Sequence, residues 1–203
     1  LNAIPIEKVS PTEFLNTSTP TQAIYTQLET EDYNKHKTKD NFDLAHFYAN
    51  PTEYESTFAP YLSTDIFIAA AYWDPKSPVL FTKEDKIGFD VVADITCDIE
   101  GSVPTTIRST TIENPVFDFN TNNWKESIPF SDKGNLSVMS VDNLPCELPR
   151  DASESFGEQL STHVIPELLL VNTPKPITEG ATMTSERSLT PTYAYLTDFL
   201  EQE

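Results

Sequence analysis

Two short stretches hold residues able to bind or polarise a small molecule. In Asp90-Val-Val-Ala-Asp-Ile-Thr-Cys-Asp98 an apolar run acquires carboxylates at Asp94 and Asp98, with Gly101 just beyond. In Asp142-Asn-Leu-Pro-Cys-Glu-Leu-Pro-Arg-Asp151, Asn143 can donate and accept hydrogen bonds, and Arg150 can clamp a carboxylate or phosphate. A helix starting just after this second stretch would add unpaired N–H groups and a partial positive charge, suited to an amide oxygen or an anion.

Each stretch has two readings. Asp98 beside Gly101 is either a turn-former or a ligand-facing carboxylate that orients an amide or a ribose, or offsets positive charge on an amine or iminium. Asp142-Asn-Leu-Pro is either an ordinary turn ahead of a capped helix or the lip of a binding site. Cys97 and Cys146 form no C-x-x-C pair, and His36, His46 and His163 show no ligand spacing, so no metal site is expected.

The elements that must position these residues come from the hydrophobic pattern. Short apolar runs alternate with helical patterns, the signature of a parallel sheet built from βαβ units. Glu7–Ser10 and Ala23–Leu28 are short strand candidates. From Phe42 to Leu62 aromatics and aliphatics recur at helical spacing, and Pro51 divides that run into two expected short helices. Asp65–Ala71 is continuous and apolar, as in a strand buried on both faces. Asp90–Asp98 is a second strand, placing Val92, Asp94, Thr96 and Asp98 on one side and Val91, Ala93, Ile95 and Cys97 on the other. Its polar end is expected to reach out of the sheet.

Glu100 to Asn135 is richer in Thr, Pro and Asn and is expected to hold irregular excursions and short antiparallel pieces such as Pro115–Asn120. Leu136–Val141 resumes the strand pattern. After Pro149, Asp151 and Glu154 stand as in a capping box, with Ala152, Phe156, Leu160 and Val164 on one face; Pro166 should kink or shorten this helix near Leu170. Asn172–Gly180 reads as a connector, and Thr190–Leu200 as an amphipathic helix striped by Tyr193, Leu196 and Leu200. In an open α/β sheet ligands bind beyond the carboxyl ends of the strands. Ala69–Trp73, Asp98–Ser102 and Asp142–Asp151 are the loops expected there.

Composition narrows the partners. Thirteen basic and 32 acidic residues among 203 give a net charge of −19, which repels phosphate backbones and anionic headgroups. Neither nucleic acid nor a membrane surface is an expected partner. Few cysteines and no N-terminal apolar segment point to a reducing, cytoplasmic setting. Leu1-Asn-Ala-Ile-Pro reads like the tail of a helix leading into a strand, as expected of a truncated, proteolysed or processed chain.

Three ordered stretches carry a resemblance. Val91–Glu100 is similar to the strand and acidic turn of alanine dehydrogenases, of fungal saccharopine dehydrogenase and of the lysine-ketoglutarate reductase half of a bifunctional lysine-degrading enzyme. Thr110-Thr-Ile-Glu-Asn-Pro115 resembles the Thr-Thr-Ile-Glu-His-Pro stretch of that reductase. Ser140-Val-Asp-Asn-Leu-Pro-Cys-Glu-Leu-Pro-Arg-Asp-Ala-Ser153 resembles the segment that enters the long helix across the group. The similarity is clear from about Asp65 to Leu170.

The resemblance implies an α/β fold: a Rossmann-like parallel sheet with flanking helices, incomplete at its N-terminal end, plus a C-terminal helical appendage. Residues 1–170 would be the later part of an NAD- or NADP-binding domain. Residues 171–203 would be a connector and a helix packing on the core or on a missing first domain. The family passes hydride between a nicotinamide and the α-carbon of a small amino-acid substrate, with an imine formed or hydrolysed. Carried onto this chain, the catalytic residue is Asp98. The cofactor contacts are Ala70, Ala71, Tyr72, Asp94, Asp98, Asn143, Leu144, Arg150 and Ser153.

One departure stands out: no G-x-G-x-x-G turn occurs and only five glycines are present. The expectation is therefore a piece of an amino-acid dehydrogenase, catalytically silent alone, that completes its site with a missing N-terminal domain. The other reading is a non-catalytic ligand-binding or assembly module that kept the fold. Val9-Ser-Pro-Thr-Glu13 leaves NAD against NADP open.

Overall fold

The computed structural model describes residues 6–169, 177, 180–183 and 188–200. The chain divides into two compact units, residues 1–144 and 145–203. The helix that the sequence reading assigns to the cofactor domain falls in the second.

The first unit is built on a five-stranded sheet. Its strands are β5 (Ile66–Ala69), β6 (Val91–Asp94), β7 (Val116–Asn120), β8 (Lys125–Ser127) and β9 (Leu136–Met139), in the spatial order β5-β6-β9-β7-β8. β5, β6 and β9 are parallel neighbours, and β7 and β8 add an antiparallel hairpin beside β9. This is the mixed α/β architecture expected of a Rossmann-like sheet, and the antiparallel piece lies within the stretch expected to hold one.

One face of the sheet is the core. Val92, Val138, Phe117, Phe119 and Leu136 are wholly buried there, joined by Phe58, Leu62, Phe81, Phe89 and Val103 from the loops. The register aligns Phe117 with Val138 and Phe119 with Leu136, so the aromatic and aliphatic side chains stack across neighbouring strands.

The other face of β5 corrects the expectation of a strand buried on both sides. Ile66 and Ile68 are 63% and 46% exposed, while Ala69 is buried. Among the described residues β5 is the terminal strand of the sheet, with a neighbour on one side alone.

The flanking elements are short. β1 (Glu7–Lys8) pairs in parallel with β2 (Ile24–Tyr25), and α1 (Pro11–Asn16) lies between them. The Ser10 side chain caps α1 by accepting from the Glu13 N–H, and Pro11 supplies the first helical residue. α2 (Thr30–Tyr33) leads into β3 (Asn34–His36), which pairs antiparallel with β4 (Tyr54–Ser56).

Of the two helices expected between Phe42 and Leu62, only the first forms, as α3 (Leu44–Ala49), capped by Asp43. The second is replaced by a 3-10 turn at Pro51–Glu53, the strand β4 and a 3-10 helix at Ala59–Ser63. Pro51 and Pro60 break the helical hydrogen-bond ladder, and pairing with β3 claims the backbone between them.

A 3-10 helix at Leu144–Glu147 precedes α4 (Pro149–Gln159), the first α-helix of the second unit. Leu148 holds the N-cap position without a side-chain hydrogen bond and Pro149 is the first helical residue, so Asp151 and Glu154 do not form the expected capping box. The helix starts three residues earlier than the D-x-x-E pattern indicates, and Asp151 sits in its first turn, where it meets the positive end of the dipole. α4 runs through a π-helical turn at Leu160–Val164 into α5 (Ile165–Leu169), and the Ile165 N–H reaches back to the Leu160 carbonyl. Pro166 lacks an N–H for the Thr162 carbonyl and its ring crowds that turn, so the distortion lies just before the proline. Pro191–Leu196 is 3-10, with Tyr193 off helical geometry, and Thr197–Leu200 is α-helical, in place of one continuous helix. Asn172–Pro176 and Thr178–Glu179 lie outside the described residues.

Candidate functional site

Parallel pairing decides where the loops go. Ala69 stands opposite Asp94, and Ala93 opposite Met139, so β5, β6 and β9 end nearly level and release their following loops from one edge of the sheet. Ala70, Ala71 and Tyr72 follow β5, Asp98 follows β6, and Asn143 and Leu144 follow β9. Ala70, Ala71, Tyr72 and Asn143 are exposed, with Tyr72 at 85%; Asp98 and Leu144 are half-buried. These six residues share one edge of the first unit. Arg150 and Ser153 are exposed on the first turn of α4, in the second unit.

Asp94 is placed differently from its expected role. The alternation along β6 is as expected, but Val92 and Asp94 face the core while Val91 and Ala93 are half-buried. Asp94 is 0% exposed. Its Oδ1 accepts from the Thr96 N–H (3.1 Å), the Thr96 hydroxyl (2.6 Å) and the Cys97 N–H (3.2 Å), and its Oδ2 accepts from the Thr106 hydroxyl (2.7 Å). A buried carboxylate without a cation survives when hydrogen bonds replace its water, as four do here. Asp94 therefore organises the loop rather than pointing out of it.

A fourth segment flanks the edge. The Thr110 N–H donates to the Ser140 carbonyl (2.9 Å), and Thr110 pairs in parallel fashion with Val141. The Ser140 hydroxyl donates to the Arg108 carbonyl (2.7 Å), and the Thr110 hydroxyl to the Pro115 carbonyl (2.9 Å). The Thr-Thr-Ile-Glu stretch thus straps the end of β9 and steadies the start of the Asn143 loop.

Cys97 joins the β6 and β9 loops, its thiol donating to the Ser140 carbonyl at 3.1 Å. Burial pushes the thiol pKa up, and the carboxylates of Asp94, Asp142 and Asp98 add to the rise. Cys97 is thereby kept as a protonated donor, not a nucleophile. The folded chain retains a proton that the unfolded chain releases. The stability this gives is present below the unfolded thiol's range, about 8.5, and is lost as pH climbs above it. Unfolding followed from pH 7 to 10 should show that decline, and Cys97→Ser should remove it. Iodoacetamide at pH 8 should label the exposed Cys146 first; equal labelling rates in a mass-spectrometric time course would contradict the assignment.

A second cluster escaped the sequence reading. The His36, His46 and Glu53 ligand atoms all lie within 4.8 Å of one another. The hairpin β3–β4 brings them together, since His36 stands opposite Tyr54; reading residues 54–62 as a helix hid that pairing. The arrangement is poorly suited to a metal. His36 Nδ1 accepts from the Thr38 and Lys39 N–H groups (3.0 and 3.1 Å), which assigns its proton to Nε2, where it donates to Glu53 Oε2 at 3.0 Å. A protonated Nε2 has no lone pair for a cation.

No family model matches the chain. It is similar to the alpha-aminoadipic semialdehyde synthase of Arabidopsis thaliana, 35% identical over 147 residues that make up 68% of this chain and 14% of that protein. The mitochondrial alpha-aminoadipic semialdehyde synthase of Mus musculus is 29% identical over 96% of this chain and 24% of its own length. The NAD(+), L-lysine-forming saccharopine dehydrogenase of Neurospora crassa is 32% identical over 57% of this chain and 30% of its own. The chain is saccharopine dehydrogenase-like. It spans between 14% and 30% of the length of these three relatives. No helix among the described residues of this saccharopine dehydrogenase-like chain is long and apolar enough to cross a membrane.

Proposed function

We propose that residues 1–170 are the later part of a Rossmann-type domain in an NAD- or NADP-dependent dehydrogenase acting at the CH–NH centre of an amino acid. Residues 171–203 would then be a connector and closing helix. The observation that carries this reading is the level ending of β5, β6 and β9, which sets Asp98 between Ala70–Tyr72 and Asn143–Leu144 on one edge. That edge is where open parallel sheets bind ligands. A relative named for NAD(+)-dependent formation of L-lysine supports the reaction class.

A bound nicotinamide would accept or give hydride. The chain's own residues would bind and orient. Ala70 and Ala71, with side chains no larger than methyl, let the backbone approach a dinucleotide, and Tyr72 offers a ring for stacking. Asp98 holds a carboxamide or offsets the charge of an iminium, and Asn143 supplies a donor and an acceptor. Arg150 and Ser153, at the start of α4, would engage a phosphate or carboxylate. Asp94 acts through the loop. An earlier domain would supply the amino-acid pocket, and this chain alone would be catalytically silent. The proposed setting is the cytoplasm, where Cys97 and Cys146 remain thiols.

The deciding measurement is NAD(H) binding and turnover by a longer protein carrying this chain, with Asp98→Ala and Arg150→Ala. Both should weaken binding, by about tenfold for each lost charged hydrogen bond. Normal binding and turnover in both variants would show that the site is elsewhere, as would amino-acid-dependent NAD reduction by the 203-residue chain alone. The second reading is a non-catalytic ligand-binding or assembly module. Amino-acid binding without dinucleotide binding would establish it.

A further inference from the structure

We infer that Asp94 and Thr106 form a latch that positions Asp98, a role resting on the dinucleotide-site reading above. The loop after β6 is anchored on both sides of its turn. Asp98 begins a tight turn closed by the Gly101 N–H on the Asp98 carbonyl (2.9 Å). On one side of that turn, Asp94 Oδ1 holds the Thr96 and Cys97 N–H groups. On the other side, the Glu100 N–H donates to the Thr106 carbonyl (2.9 Å), and the hydroxyl of the same Thr106 donates to Asp94 Oδ2. One carboxylate thus holds the loop on both sides, directly at Thr96 and Cys97 and through Thr106 at Glu100, and Asp98–Ile99 is the tip between them.

Two features separate this arrangement from an ordinary turn. Cys97 and Glu100 hold φ of 52° and 53°, the left-handed region that side chains with a Cβ seldom enter. Such strain persists where surrounding contacts over-determine it. The anchors are also deep: Asp94, Val103, Thr105 and Thr106 are 0% exposed, and the Ser102 carbonyl accepts from the Leu80 N–H. An apolar residue in place of Asp94 would suit the core face of β6 but would leave the loop untied. The latch fixes where the Asp98 carboxylate stands before any ligand arrives, which is how a binding group avoids an ordering cost on association. Asp94 and Thr106 touch no substrate in this scheme; they are positioning residues.

The test uses Thr106→Val, which keeps the shape and removes the hydroxyl, and Thr106→Ser, which restores it. In the 203-residue chain, hydrogen exchange at the Cys97 and Glu100 amides should quicken about tenfold in Thr106→Val and return in Thr106→Ser, while the Val92 and Val138 amides stay unchanged. In the longer protein, Thr106→Val should raise the NADH dissociation constant about tenfold. In an Asp98→Ala background it should add nothing, because it acts through Asp98. Unchanged loop exchange, failed rescue by serine, or a full additional loss in the Asp98→Ala background would each overturn the latch. Unaltered NADH affinity in Asp98→Ala alone would instead remove the dinucleotide reading, and the exchange measurements would still decide whether Thr106 ties the loop.

Discussion

Asp94→Ala should lower the unfolding free energy of the first unit by about 2–4 kcal/mol, from the loss of hydrogen bonds to a charged acceptor and a wholly buried hydroxyl left without its partner. The carboxylate accepts from four donors, and alanine leaves all of them without it. Summing a full desolvation penalty over four donors would overshoot. Thr96 and Cys97 are half-buried and can recover water, whereas Thr106 is wholly buried and cannot. Against a typical domain stability of about 5–15 kcal/mol, the loss is a large share. Asp94→Asn separates charge from geometry. The amide oxygen can still serve Thr96 and Cys97, and the amide nitrogen can donate to the Thr106 hydroxyl, so a smaller loss of about 1–2 kcal/mol is expected. Urea unfolding of the three proteins, with midpoints compared at constant slope, measures both steps. A loss below about 1 kcal/mol for Asp94→Ala would mean that the loop holds itself without the carboxylate.

The contrast between Asp94 and its neighbours shows what the sequence carries and what it withholds. Period-two alternation assigns Asp94 to the same side of β6 as Val92, and that is where it lies. Alternation cannot say which side meets the core, because that depends on Phe58, Leu62 and Phe81 arriving from segments outside β6. Polar residues at a strand end therefore read as outward-facing, and the carboxylate that ties the loop is mistaken for one that greets a ligand. β5 makes the opposite error in the same way. Ile66, Phe67 and Ile68 are apolar throughout, but the position of β5 at the end of the sheet is a property of strand order, which no local pattern contains.

Where the signal is local, the sequence is enough. The apolar strand patterns at β6 and β9 and the antiparallel piece at β7 can be found without coordinates. The β3–β4 hairpin cannot, since Asn34 pairs with Ser56 across an intervening segment that contains α3, and the aromatic spacing of Tyr54, Phe58 and Leu62 mimics a helical stripe. The His36–Glu53 pair is lost with that hairpin. At α4 the fault is one of phase: the N-cap is Leu148, three residues before Asp151, so Asp151 falls inside the first turn and Glu154 beyond it.

Gly101→Ala should cost the first unit about 2–4 kcal/mol, from roughly 1–3 for a steric insertion and about 1 for the turn hydrogen bond it breaks. A Cβ at this position would stand 2.5 Å from the Asp98 Cβ and 2.7 Å from the Asp98 carbonyl oxygen. Neither atom can rotate away, since both are fixed to the backbone, so the turn itself must open. Gly101 does not have positive φ, and the need for glycine is therefore one of space and not of backbone conformation. Gly157, in the interior of α4, has nothing within 4 Å of an added Cβ, so Gly157→Ala should stabilise the second unit by about 0.5–1 kcal/mol through helix propensity. The pair of variants sets the same chemical change against opposite signs. Opening the turn also moves Asp98 without altering its carboxylate. If Asp98 meets a dinucleotide, Gly101→Ala should weaken NADH binding in the longer protein about as much as Asp98→Ala does. If Asp98 only forms a turn, Gly101→Ala should lower thermal stability and leave affinity intact, which would return that residue to the plainer of its two readings.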